Sequence, residues 1–229
     1  PRYGLHLDEN RRATKRFNIT ELPQSLMDWG ILGAVIGKKL GNYWEVPVIE
    51  GLDAIPTSDQ MKHFGAAMAS YGSVPLFHLL GITPEAKTLK DAGGNGLAME
   101  EITHIDIKVL RSNYIGDGDA LDVVVFGAPQ LSLIEMQRIA NLCKGRTLKT
   151  PMIVCTSPQV YSDAERMGLI SRIESAGGKV LEGTCFYNQY AREIGDVNGW
   201  KYLMTNSAKL VNIIGGYGYS PSLASMQDC

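Results

Sequence analysis

The chain has 229 residues, 45% of them hydrophobic and 20% charged, with a net charge of −2 and a pI near 6.1. That length holds one large domain or two smaller ones, each able to bury a core. The near-neutral balance provides no basic surface for nucleic acid or an anionic membrane, and no apolar run approaches the ~20 residues of a membrane span.

No signal-peptide pattern is read at the start, so a cytoplasmic protein is expected. The four cysteines, Cys143, Cys155, Cys185 and Cys229, form no CxxC pair and no zinc-finger spacing. In that compartment they are expected as free thiols or metal ligands rather than disulfides. The opening "PRYGLHLDENRRATKRF" lacks a methionine and crowds functional groups together, and the chain stops at "SMQDC". Both ends read as mid-protein sequence, so the chain is expected to be a piece of something larger.

Residues 1–117 read as an α+β region. Within the opening stretch, the charged cluster His6, Asp8, Glu9, Asn10, Arg11 and Arg12 is expected to form surface ion pairs. "LMDWGILGAVIGKKLGNYWEVPVIEGL" reads as a helix whose glycines allow close packing, followed by a short strand. "SDQMKHFGAAMASYGSVPLFHLLGITPEA" reads as a helix with small residues on one face, a glycine turn, and a strand running into Ile82. His63 falls on that helix, and His78 is expected as a satisfied core histidine. "DAGGNGL" (residues 91–97) is glycine-rich but lacks the strand-before, helix-after setting of a phosphate loop. "ITHIDIKVL" alternates at period two and is expected to be a strand that includes His104.

Residues 118–229 follow a clearer plan. A continuous apolar strand over 121–126 leads through Gly127-Ala128-Pro129 into a helix from about Ser132, where Ser132 and Glu135 form a capping box. Leu133, Met136, Ile139, Ala140 and Cys143 recur at helical spacing, which places Cys143 in the core. A second buried strand, Met152 to Cys155, leads through Thr156-Ser157-Pro158 into a helix over 160–176. Glycines stop that helix before a third strand from Lys179 to Gly183. A fourth strand spans Lys201 to Met204.

Strands alternating with helices predict a parallel sheet with right-handed crossovers. Ligands in such sheets bind beyond the carboxyl ends of the strands. Four such ends carry small polar or thiol groups: Gly127 to Gln130, Thr156-Ser157, Thr184-Cys185, and Thr205-Asn206-Ser207. Cys155 lies inside a strand and is expected in the core. The segment "TNSAK" (Thr205 to Lys209) reads either as a helix cap beside a solvated lysine or as an anion-binding corner.

Several stretches together resemble one family: "YGLHLDENRRAT", "DWGILGAVIGKKLGNYWEVPVIEG", "GAAMASYGSVPLFHLLGITPEA", "GAPQLSLIEMQRIA", "LEGTC" and "LMTNSAKL". They look like aconitase X, the compact branch of the aconitase superfamily. The likeness runs over essentially the whole chain in family order and matches the C-terminal part of the family's large subunit. It implies an α/β fold: a parallel aconitase-like domain over 118–229, preceded by an α+β aconitase-like region over 1–117. It also implies two partners outside this chain, an N-terminal region of the large subunit and a small swivelling subunit or domain.

The implied chemistry is dehydration at an iron–sulfur cluster, [4Fe-4S] rather than [2Fe-2S], held by three cysteines. Two ligands match Cys185 and Cys229, and the third belongs to the missing region. The open iron position would serve as a Lewis acid toward the substrate hydroxyl. The base is a serine of the small domain, so no catalytic residue is expected in this chain. The resemblance assigns Asn206, Ser207 and Lys209, with Thr205 beside them, to the anionic end of a small substrate. It places Thr156, Ser157 and Thr184 on the cluster side, with Tyr3 and His6 facing the site. One departure stands out: Gln130 occupies a position where family members often carry a histidine. Hydrogen bonding survives that change, whereas acid–base work does not.

Two activities belong to the family, dehydration of mevalonate 5-phosphate in an archaeal isoprenoid route and of cis-3-hydroxy-L-proline in bacteria. The first, a mevalonate-pathway reaction, is expected here because the chain resembles the separate-subunit type. Alone, the chain is expected to be inactive and to show Cys185 and Cys229 as free thiols. The rival reading from another class is a non-catalytic α/β module that holds a small anion without metal.

Overall fold

The computed structural model describes residues 3–116 and 121–229. Contacts divide the chain into two units, residues 1–112 and 113–229. The boundary expected between residues 117 and 118 lies outside the described residues.

In the first unit, β1 (Lys15–Ile19) leads through α1 (Leu26–Leu40) to β2 (Pro47–Glu50), and α2 (Ser58–Gly72) leads on to β3 (His78–Leu79). β4 (Met99–Ile102) and α3 (His104–Ser112) complete it. The strands lie in the order β3-β2-β1-β4 and every pairing is parallel. Residues anticipated as α+β thus form a second parallel sheet. Both long helices begin at reciprocal caps, Ser25 with Asp28 and Thr57 with Gln60, which satisfy donors the first turn leaves orphaned.

α1 and α2 approach each other through glycine. A Cβ on Gly33 would lie 2.1 Å from the Phe64 carbonyl oxygen, and one on Gly72 would lie 2.1 Å from that of Gly37. Trp29 and Phe64 meet edge to face at 5.9 Å beside this contact. His78 is buried, with Nε2 2.6 Å from the Arg11 carbonyl, and is the satisfied core histidine expected. Arg11 forks onto both carboxylate oxygens of Glu85, one of the surface ion pairs expected of the opening cluster.

"ITHIDIKVL" is corrected. The strand stops at Ile102, and His104–Ser112 is the helix α3. Thr103 donates to Asp106 through its backbone N–H (2.8 Å) and its hydroxyl (2.7 Å), so a T-x-x-D cap overrides the alternation. Ile105 and Val109, which a half-buried strand would have sheltered, are exposed.

In the second unit, β5 (Val123–Leu131), α4 (Leu133–Cys143), β6 (Met152–Thr156), α5 (Pro158–Arg166), α6 (Leu169–Ser175) and β7 (Gly178–Glu182) follow in turn. α7 (Ala191–Asn198), β8 (Tyr202–Thr205), α8 (Ala208–Ile214) and β9 (Ser220–Leu223) close the unit. The five strands lie in the order β7-β6-β5-β8-β9, all parallel. The single helix expected over 160–176 is two, because Gly168 takes a left-handed φ of 70° between them. β9 was not anticipated: "SPSL" has no apolar run, and it pairs only as the outer strand beside β8.

One apolar cluster gathers around α4 and α6 and includes buried Cys143. The other gathers around α7 and α8 and includes buried Cys155. Both cysteines are core residues, as expected of Cys143 from its helical spacing and of Cys155 from its place inside a strand. Asp122 ties the start of β5 to that of β8, its carboxylate accepting the N–H groups of Lys201 (2.7 Å) and Tyr202 (2.8 Å). No helix among the described residues is long and apolar enough to cross a membrane.

Two outcomes follow from this packing. Gly33→Ala gains ~1 kcal/mol of helix propensity but must push Phe64 away, so denaturant unfolding should show a net loss of about 1–3 kcal/mol. Asp122 has its pKa lowered, first by the Tyr202 and then by the Lys201 N–H. A depressed carboxylate stabilises above its unfolded pKa, and that contribution disappears as pH falls through the folded value. Asp122→Ala should therefore lose about 1 kcal/mol at neutral pH, and less as a pH series of unfolding curves enters the acid range.

Candidate functional site

Because the second sheet is wholly parallel, the carboxyl ends of its strands share one edge. β5 reaches that edge irregularly. Its register with β6 shifts between Phe126 and Leu131, and its pairing with β8 covers only Val123 and Val124. The Ala128–Pro129 peptide in this stretch is cis. Gly127 has to be small, since a Cβ there would lie 2.7 Å from the Cys155 sulfur.

Side chains of the neighbouring strands bind this irregular end. Thr156 donates its hydroxyl to the Leu131 carbonyl at 2.7 Å, and the Ser207 hydroxyl donates to the Ala128 carbonyl. Gln130 donates from Nε2 to the Thr184 carbonyl at 3.0 Å. Four strand ends singled out in the sequence are therefore brought together. The same bonds show what their hydroxyls are occupied with. Ser207 also caps α8 by accepting from the Leu210 N–H (3.1 Å), and Ser157 caps α5 by accepting from Val160 (3.2 Å). Thr205 accepts from the Ser207 N–H at 3.2 Å, and Thr184 donates to the Cys185 carbonyl at 3.1 Å.

Asn206 and Lys209 differ from these. Asn206 is 4% exposed and its side chain has no hydrogen bond among the described residues. Lys209 is half-buried and has no carboxylate partner among the described residues. Its Nζ instead lies over the Tyr187 ring, 5.8 Å from the centroid. Tyr187 in turn meets Tyr217 at 6.4 Å. Neither tyrosine has an assigned role in the sequence, where the one signal is that Tyr187 follows Cys185 by two residues.

Cys185 opens the short 3-10 turn Phe186–Asn188, and the Asn188 N–H donates to its carbonyl at 3.0 Å. Phe186 anchors that turn in the core against Tyr219 at 5.8 Å. Cys229 lies in a turn beyond β9, its N–H bonded to the Ser225 carbonyl at 3.0 Å, and Ala224 N–H reaches the Thr205 carbonyl at 3.0 Å. Both cysteines are half-buried, and neither is in a disulfide among the described residues. They stand at the same sheet edge but pack against different clusters, Cys185 with that of α7 and α8, Cys229 with that of α4 and α6.

Burial pushes the Cys185 thiol up, and the nearby Lys209 ammonium pulls it down. Burial pushes Cys229 up to about 12, with Asp228 adding to the effect. Burial raises Cys155 to about 12 as well, with Cys185 adding to it and the Phe186 N–H opposing.

Two thiols at a strand edge suit two ligand positions of an iron–sulfur cluster, since both are uncommitted and neither is sealed in the core. No group of three His, Cys, Asp or Glu able to hold a metal stands together among the described residues. Tyr3 and His6 lie in the first unit, in exposed 3-10 turns, as an edge-on ring pair at 6.3 Å.

Comparison with known proteins gives this edge a context. The second domain of aconitase X matches residues 13–114 and the third domain matches residues 121–229. The phosphomevalonate dehydratase large subunit of Thermococcus kodakarensis is 32% identical, over 100% of this chain and 57% of its own length. That of Methanothermobacter thermautotrophicus is 36% identical, over 94% of this chain and 52% of its own. A cis-3-hydroxy-L-proline dehydratase of Hypocrea jecorina is 33% identical, over 97% of this chain and 37% of its own. The crystal structure of Thermococcus kodakaraensis aconitase X in its holo-form superposes with a TM-score of 0.88 at 32% identity, covering 100% of this chain and 57% of that one. The chain thus spans about half the length of the large subunits it matches. With both units matched in order and the fold shared, the chain belongs to the aconitase X family and comprises its second and third domains.

Proposed function

We propose that the chain is part of a hydro-lyase of the aconitase X type that dehydrates mevalonate 5-phosphate. One observation carries this reading furthest: the half-buried Lys209 ammonium, without a carboxylate partner among the described residues, stands close enough to Cys185 to oppose in part the rise that burial gives its thiol pKa. An unneutralised cation in that position favours an anionic ligand.

Dehydration breaks a C–H bond α to the substrate carboxylate and a C–O bond β to it, releasing water. Cys185 and Cys229 would hold the cluster with a third cysteine from outside the chain, and a bound cluster supplies Lewis acidity toward the leaving hydroxyl. Lys209 holds the anionic end of the substrate, and Asn206 offers it an amide. Gln130, bonded to the Thr184 carbonyl, keeps the Cys185 strand end against β5. Thr156, Ser157, Thr205 and Ser207 hold the backbone of the edge in place and so orient the groups that touch substrate. The base that takes the α-proton comes from a small swivelling subunit or domain, and the complete protein is a cytoplasmic enzyme.

Dehydration of cis-3-hydroxy-L-proline is the second reading, favoured by relatives of that name at 33% and 32% identity. A zwitterionic imino acid would bring its ammonium toward Lys209, which a phosphorylated hydroxy acid does not. Charge therefore favours mevalonate 5-phosphate.

In the complete enzyme, prepared without oxygen, Cys185→Ser should lose the sulfide-to-iron absorption and the dehydratase activity together. Cys143→Ser, altering a core thiol, should keep both while lowering stability by about 1–3 kcal/mol. A Cys185→Ser enzyme with full iron content would remove Cys185 from the ligand set.

A further inference from the structure

The turn that carries Cys185 also carries the ring on which Lys209 rests. Cys185 is followed by the anchor Phe186 and then by Tyr187, so the thiol and the ring are fixed by one buried side chain. The Lys209 ammonium lies 5.8 Å from the Tyr187 centroid, and Tyr217 buttresses that ring at 6.4 Å. Arg192 pins the loop holding Tyr217 by donating to the Gly216 carbonyl at 2.6 Å. The Tyr187 hydroxyl has no hydrogen bond among the described residues, and the ammonium lies over the ring itself. A lysine on a four-carbon stem has many rotamers, and an aromatic face selects among them.

We propose that Tyr187 is a positioning residue, its ring holding the Lys209 ammonium at the anion corner beside Cys185. This rests on the reading that Lys209 receives the anionic end of the substrate. The ring acts through the lysine and touches no reacting atom. Losing the ring leaves the charge in place but lets it wander, which weakens ground-state binding and leaves the chemical step alone. Replacing Tyr187 with phenylalanine keeps the face and should keep the effect.

The test uses the complete enzyme with Tyr187→Phe, Tyr187→Leu, Lys209→Met and the double variant Tyr187→Leu/Lys209→Met. Steady-state kinetics with mevalonate 5-phosphate are paired with calorimetric titration of cluster-free protein with the same compound and with inorganic phosphate. Tyr187→Leu should raise KM and weaken both titrations by about two- to fivefold, with kcat retained. Tyr187→Phe should match the parent, and Tyr187→Leu should cost nothing further once Lys209 is Met. Tyr187→Met, which keeps bulk without a ring face, stands in if Tyr187→Leu melts early. Equal losses in Tyr187→Phe and Tyr187→Leu, an undiminished cost in the Lys209→Met background, or no phosphate binding by the parent would each overturn the proposal. An enzyme that binds phosphate with this pattern but dehydrates neither substrate would keep the ring's role and overturn the dehydratase reading alone.

Discussion

Hydrogen bonds sent by neighbouring strands into the irregular end of β5 hold the whole carboxyl edge of the second sheet together. Where β5 slips register, backbone carbonyls lose regular ladder partners, and a buried carbonyl left unmet costs about 1–3 kcal/mol. Thr156 from β6 and Ser207 from the end of β8 provide donors to Leu131 and Ala128. Gln130 then reaches across to the Thr184 carbonyl, next to Cys185. The irregular end of β5 is thereby tied to both flanking strands, and the Cys185 turn is held as a consequence. Gly127 belongs to the same arrangement, because the Cys155 sulfur fills the space a side chain would take.

Four cysteines in one small unit are separated by burial rather than by sequence spacing. Cys143 and Cys155 are sealed among apolar side chains, where a thiolate is costly and the thiol behaves as a small hydrophobe. Cys185 and Cys229 sit half-buried at the strand edge on opposite clusters. Lys209 adds a positive charge beside Cys185 alone.

Much of the second unit was legible because each local signal agreed with the sheet it serves. The Ser132–Glu135 capping box, the helical recurrence that ends at Cys143, and the strand-then-helix alternation all specify the same parallel layout. Glycine spacing in α1 announced a close helix contact without naming its partner, which proved to be Phe64 and Gly72 on α2. α3 was illegible as a helix because Ile105, Ile107 and Val109 alternate like a strand, and only the Thr103–Asp106 cap decides otherwise. β9 escaped notice because an outer strand needs no apolar run. At the site, sequence identified hydroxyl-bearing strand ends but not how the hydroxyls are used. Caps and irregular backbone occupy those of Ser157, Thr156 and Ser207, a matter of geometry that composition does not carry. The Tyr187–Lys209 contact joins a turn to a helix far along the chain, so no local pattern records it.

Anomalous diffraction at the iron edge from crystals of the complete enzyme, grown without oxygen, tests the account at its centre. Iron should appear at the carboxyl edge of the second sheet, bonded to the sulfurs of Cys185 and Cys229, with Lys209 facing the open side. Iron bound elsewhere, or an active dehydratase that holds no iron at this edge, would contradict the assignment.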